Sequence, residues 1–204
     1  MERTTFQVGT FEVNCSILSA DGKAWIVDPG GEADRIVRFL ADKGLTPVAV
    51  LLTHAHFDHI GGIPDLTQAY PALPVFVNAP DKVMFGHQLN QLPPDYPLFA
   101  APADLASLDD LKGTDAPDCM EVIPTPGHTP GGVCDYCRKD KLLLSGDTLF
   151  ADSVGRTDLP GGDMATLMDS LTRLTALPDD TTVVPGHGPE TTIAAEKRGN
   201  PFLQ

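Results

Sequence analysis

Five of the six histidines in this chain of 204 residues fall in three short segments. The densest is His54-Ala55-His56-Phe57-Asp58-His59. In an extended segment, residues 54, 56 and 58 point to one side, so their side chains can converge; Asp58 and His59 cannot both do so unless the backbone turns between them. Four candidate ligands packed so closely are better shared between two metals than crowded onto one. Imidazole and carboxylate together suit zinc, iron or manganese rather than magnesium or calcium. Three further segments put a His or Asp beside glycine just past a predicted strand: Gly127-His128, Gly146-Asp147 and Gly186-His187-Gly188. Strand ends that open into Gly-rich turns are where side chains can be aimed at a common point and backbone can approach closely. The candidate metal ligands are therefore His54, His56, Asp58, His59, His128, Asp147 and His187.

The elements that must position them follow from the hydrophobic pattern. Strands are expected at about 3–8, 12–19 and 24–28, with a turn at Asp21-Gly22. Asp28-Pro29-Gly30-Gly31 breaks the sheet, and a helix over about 32–43 carries Ile36, Val37 and Leu40 on its apolar stripe and stops at Gly44. The apolar run Val48–Leu52 suits a strand buried on both faces, and it feeds directly into the histidine run. A short helix near 62–70 and a strand at 73–77 come next. The Pro-rich stretch 80–118 is expected to hold one or two short helices packed beside or over the site. Strands at about 119–123, 132–137 and 141–145, a helix at 163–176, a strand at 181–184 and a helical segment at 189–198 complete the chain. Strands dominate each half and helices punctuate them, which predicts two packed sheets flanked by helices.

Length and composition bound the rest. One domain over 1–204 is the expectation for this length, and 42% hydrophobic residues can build a sizeable core. A net charge of −14 argues against nucleic acid and against an anionic membrane surface as partners. No apolar run of about 20 residues exists to span a bilayer, and the first nine residues lack the apolar core of a secretory signal, which predicts a cytoplasmic protein. Four cysteines make no disulfide framework in a chain of this size.

The run His54–His59, followed in order by Gly-His128, Gly-Asp147 and Gly-His187, resembles the metallo-β-lactamase superfamily, and the match extends from Asp28-Pro29-Gly30 to the C-terminus. The resemblance implies an αββα sandwich of two mixed sheets with metals where the sheets' loops meet. It implies two divalent metal ions, zinc foremost, with iron or manganese also accommodated. His54, His56 and His128 would hold the first, Asp58, His59 and His187 the second, and Asp147 would bridge them. True β-lactamases lack that bridging carboxylate, flavodiiron proteins carry a Glu at the position of His56, and the nuclease branch would want a basic groove. What remains is similar to the glyoxalase II-like thioesterases; the segment Phe150–Asp163, Thr191-Thr192-Ile193 and Asn200-Pro201-Phe202 look like the short bacterial group. The implied activity is cleavage of a small-molecule thioester, S-D-lactoylglutathione or a related hydroxyacyl-glutathione, by a metal-bridging hydroxide, with Asp58 and Asp147 as catalytic residues. Full-length glyoxalase II carries further C-terminal helices that help hold glutathione, whereas this chain continues for 17 residues after His187. The competing branch is the mononuclear-iron persulfide dioxygenases, which share a Gly-Arg-Thr-Asp element like that at 155–158; the Leu-Pro-Gly-Gly-Asp continuation favours the thioesterase.

Arg156 carries two readings: a salt bridge to Asp158 or Asp163 that shapes its loop, or a substrate carboxylate contact for which its planar fork is suited. Cys134 and Cys137 are three apart on a predicted strand and so face opposite sides, which excludes a shared metal; Cys15 and Cys119 read as small core residues. His87 matches no motif and reads as a surface residue, although His87, Tyr96 or Phe99 would touch substrate if their region overhangs the site. Trp25 reads as sheet packing.

Overall fold

The computed structural model describes residues 1–111 and 120–204. They fall into two compact units, Met1–Pro117 and Asp118–Gln204. The first opens with an antiparallel meander of β1 (Glu2–Val8), β2 (Val13–Ala20) and β3 (Lys23–Val27). Helix α1 (Ala33–Lys43) then crosses to β4 (Thr46–Leu51), which pairs in parallel with β3. Helices α2 (Phe57–Ile60) and α3 (Ile63–Ala69) lead to β5 (Val75–Val77) and, beyond two 3₁₀ turns, to β6 (Leu105–Ser107). These strands continue the sheet in the order β1-β2-β3-β4-β5-β6.

The local causes are those of the sequence pattern. Ile36 and Leu40 on α1 are fully buried, each such side chain worth roughly 1.5–3 kcal/mol, and Gly44 ends the helix in the left-handed region at φ 63°. Strand β4 is buried over Ala49–Leu51 and delivers the chain into the histidine run from inside the core. Strand β6 was not expected. It is three residues long, too short for a legible alternation, and exists because β5 offers it a parallel partner.

The second unit repeats the plan. Strands β7 (Met120–Pro124), β8 (Val133–Cys137) and β9 (Leu142–Gly146) form an antiparallel meander. A two-stranded ribbon of β10 (Leu149–Phe150) and β11 (Ser153–Val154) follows. Helix α4 (Met164–Leu174) crosses to β12 (Thr182–Pro185), parallel to β9, and β13 (Thr191–Thr192) and α5 (Ile193–Gly199) close the chain. The sheet order is β13-β12-β9-β8-β7. Both sheets are therefore mixed, as expected. The segment 189–198, read as helical throughout, divides: β13 pairs with β12, and the Thr192 hydroxyl then caps α5 by accepting from the Ala195 N–H at 3.2 Å. Cys119 lies outside the described residues. No helix among the described residues is long and apolar enough to cross a membrane.

Candidate metal centre

In the first unit the chain is extended only as far as His56, whose ψ of 150° precedes the single helical turn Phe57–Ile60. Of the two geometries the spacing allowed, extended throughout or turning within the run, the chain takes the second. The turn begins before Asp58, and successive helical residues project about 100° apart, so Asp58 and His59 diverge. His54, His56 and His59 are brought together and almost fully buried, with the His54 ring centroid 4.8 Å from that of His56 and 4.1 Å from that of His59.

A carboxylate that the sequence reading left unassigned organises them. Asp28, at the end of β3 and 2% exposed, accepts from the Thr53 N–H at 2.8 Å and from the Thr53 hydroxyl at 2.6 Å. Because that hydroxyl gives its only proton to Asp28, its 3.1 Å contact with His54 Nδ1 is one in which it accepts. His54 therefore keeps its lone pair on Nε2. The same Asp28 oxygen lies 3.1 Å from His59 Nδ1, which favours the same tautomer there. Asp28, His54 and His59 offer ligand-type atoms all within 4.8 Å of one another.

The backbone of the run is clamped as well. Asn90 donates to the Ala55 carbonyl at 2.8 Å and accepts from the Phe57 N–H at 3.2 Å, while buried Asp81 accepts from the Ala55 N–H at 3.2 Å. The region 80–111 thus does pack beside the histidine run, through two residues that no local motif marked. His87 is exposed and accepts from the Leu89 N–H at 3.2 Å, the local role expected of a residue outside the site.

In the second unit His128, Asp147 and His187 come together. His128 Nδ1 donates to the Arg156 carbonyl at 2.7 Å, leaving the lone pair on Nε2. That Nε2 lies 3.5 Å from Asp147 Oδ2, and His187 Nε2 lies 3.7 Å from the same oxygen. Two ligand atoms, each about 2.1 Å from one tetrahedral zinc, stand about 3.4 Å apart, whereas an N–H···O bond is about 2.9 Å. One carboxylate oxygen set at ligand spacing from two imidazoles suits a metal ligand rather than a hydrogen-bond acceptor. His128 is held from behind, since the Asp163 N–H donates to the Gly127 carbonyl at 2.8 Å. Asp163 also caps α4 by accepting from the Thr166 N–H at 2.8 Å.

Each unit also contains a glycine that makes room for a ligand candidate's backbone. A Cβ on Gly30 would stand 2.0 Å from the Asp58 carbonyl oxygen, and one on Gly155 would stand 1.8 Å from that of Asp147. Among the lesser candidates, Arg156 forms a two-pronged exposed pair with Asp158, both contacts at 2.7 Å. The hydrogen bond and charge of Arg156 pull the Asp158 carboxyl down to about 2. Cys134 donates to the Ser145 carbonyl at 3.5 Å, and burial pushes its thiol up to about 12; Cys137 and Cys15 are buried too. The C-terminal segment serves structure: fully buried Glu196 accepts from the Asp152 N–H at 2.9 Å, the Thr191 hydroxyl at 2.5 Å and the Asn200 amide at 2.8 Å, bracing the loop after Asp147.

The fold and donor set define a mixed α/β protein with clustered His and Asp side chains able to hold transition-metal ions. A family model described as the metallo-beta-lactamase superfamily matches residues 8–187, and the chain belongs to that superfamily. It is 40% identical to a probable metallo-hydrolase, YqgX, of Bacillus subtilis, over 96% of this chain and 94% of that one. It is 38% identical to the hydroxyacylglutathione hydrolase GloC of Haemophilus influenzae, over 96% and 95% of the two chains. Among solved structures, TTHA1623 in a di-iron-bound form superposes with a TM-score of 0.87 at 37% identity, covering 98% of this chain and all of that one. The BLEG-1 B3 metallo-beta-lactamase superposes with a TM-score of 0.86 at 36% identity, covering 99% of both.

Proposed function

We propose that this metallo-hydrolase is a dinuclear thioesterase acting on a hydroxyacyl thioester such as S-D-lactoylglutathione. The observation that carries the dinuclear reading is Asp147, whose single oxygen Oδ2 stands 3.5 and 3.7 Å from two imidazole Nε2 atoms. His54, His56 and His128 would hold one metal and Asp58, His59 and His187 the other, with Asp147 common to both. The choice of thioester is supported by the relative named hydroxyacylglutathione hydrolase, of which this chain covers 95%.

When bound, the metal pair supplies a water acidified to near neutral pKa and positive charge for the oxyanion of the carbonyl adduct. The protein's own part is to keep that geometry fixed. The Thr53 hydroxyl and the Arg156 carbonyl meet Nδ1 of His54 and His128, so that Nε2 carries the lone pair of each neutral ring, and Asp28 faces the Nδ1 side of His59. Asp58, at the start of α2, orients the proton of the attacking water. No serine or cysteine nucleophile is required, and the buried Cys134 thiol, held up at about 12, is unsuited to be one.

The test is hydrolysis of S-D-lactoylglutathione by metal-quantified enzyme, with His54→Ala as control and a chromogenic β-lactam as counter-substrate. Thioester turnover that disappears in His54→Ala supports the reading. Turnover of the β-lactam alone would replace it with lactamase activity. A single bound iron, with oxygen consumed on glutathione persulfide, would replace it with the dioxygenase.

A further inference from the structure

An aromatic cluster adjoins the histidine run. Phe57, the residue between His56 and Asp58, meets Phe11 at 5.1 Å and Tyr96 at 4.9 Å between ring centroids, both edge to face. Phe11 lies 5.6 Å from Tyr96, and Tyr96 lies 6.1 Å from Phe99. The tip of the Phe99 ring is 3.5 Å from where Gly61, at the end of α2, would carry a Cβ. The cluster is part surface: Phe11, in the β1–β2 turn, is 37% exposed, and Tyr96 and Phe99 are half-buried. The segment bearing Tyr96 and Phe99 is fixed by its backbone. Gln91 donates to the Tyr96 carbonyl at 2.9 Å, and the Gly86 N–H donates to the Phe99 carbonyl at 2.7 Å. Three rings that stay partly open to solvent, packed on buried Phe57 next to the histidine run, make a preformed apolar wall.

Charge decides which part of a thioester lies against it. Residues 79–111 contain Asp81, Asp95, Asp104, Asp109 and Asp110 against Lys82 alone. A glutathionyl group, net negative with two carboxylates against one ammonium, is disfavoured there, whereas an uncharged acyl substituent is not.

Building on the thioesterase reading, we propose that Phe11, Phe57, Tyr96 and Phe99 form the acyl-side wall of the substrate site and select 2-hydroxyacyl groups bearing an aryl substituent over lactoyl. An aryl ring against this wall gains both buried apolar area and ring–ring contact, which together amount to about tenfold in affinity or more.

The released hydroxy acid reports on the wall without the thiol carrier and without turnover. Binding of D-mandelate and D-lactate to protein loaded with two equivalents of zinc, followed by ligand-observed NMR, is the experiment, run on wild type, Phe11→Ala and Tyr96→Ala. Mandelate is expected to bind about tenfold more tightly than lactate in wild type, with the ratio falling towards one in both variants. Equal affinities in wild type, no measurable mandelate binding, or a ratio that both variants preserve would overturn the proposal. A mandelate preference in wild type that both variants lose, without turnover of S-D-lactoylglutathione, would discard the thioesterase reading and leave the wall standing. Lactoylglutathione turnover with equal affinities would do the reverse.

Discussion

The two units place a carboxylate at the same point of the same local topology and use it in opposite ways. In each, an antiparallel three-stranded meander ends in an aspartate, Asp28 after β3 and Asp147 after β9, and the next parallel strand leads to histidine, His54 after β4 and His187 after β12. The carboxyl ends of parallel strands are where open α/β sheets collect functional groups. Asp28 commits both oxygens inside the protein, to the Thr53 N–H and hydroxyl, and faces the Nδ1 side of His59. Asp147 sits on the Nε2 side of His128 and His187. Which ring nitrogen a carboxylate meets therefore separates a group that sets tautomers from a group that can share the metals.

That contrast can be broken most sharply at Asp147. Asp147→Ala is expected to lose metal and to lower thioester kcat/KM by at least about a thousandfold, checked by metal analysis and kinetics; full activity in this variant would end the shared-carboxylate reading. Asp28→Asn should do less. It keeps an acceptor for Thr53 but removes the charge beside His59, so metal affinity is expected to fall about 10- to 100-fold while the fold persists. Chelator competition measures this, and an effect as large as that of Asp147→Ala would erase the distinction between the two carboxylates. Asn90→Ala extends the test to the backbone clamp. It leaves the Ala55 carbonyl and the Phe57 N–H without their side-chain partner, at a cost of about 1–3 kcal/mol read as a lower midpoint in denaturant. A midpoint identical to wild type would show that the clamp is incidental. The smallest effect belongs to Arg156→Ala. Its pair with Asp158 is exposed, so stability at pH 7 should be unchanged within error. The Asp158 carboxyl is depressed in the folded state, so whatever the pair adds is present above the unfolded value of 3.8 and is lost as pH falls through about 2. A raised KM with full metal content would give Arg156 the substrate-contact role instead.

The salt bridge to Asp158 was one of two that the sequence allowed. Asp163, the other, was taken by α4 as its cap, because a carboxylate three residues before the Thr166 N–H satisfies an otherwise orphan donor. The β6 strand was missed, and the turn at Phe57 left as one of two alternatives, for a related reason: segments of three or four residues are too short to display a period, and only their packing partners select their conformation.

By itself the sequence determined what depends on neighbours along the chain. The 3.6-residue stripe of α1 and its glycine stop, the alternation or continuous apolarity of the longer strands, and the placing of His and Asp just past strand ends were all legible, because helix, strand and turn preferences act over a few residues. Tertiary structure alone decided how those side chains are held. Asp28 reaches Thr53 across 25 residues, Asn90 reaches Ala55 across 35, and His128 finds the Arg156 carbonyl 28 residues on. No periodicity encodes such partners. They are fixed when buried polar groups, brought together by the packing of the sheet, must find hydrogen bonds with whatever the fold has placed beside them.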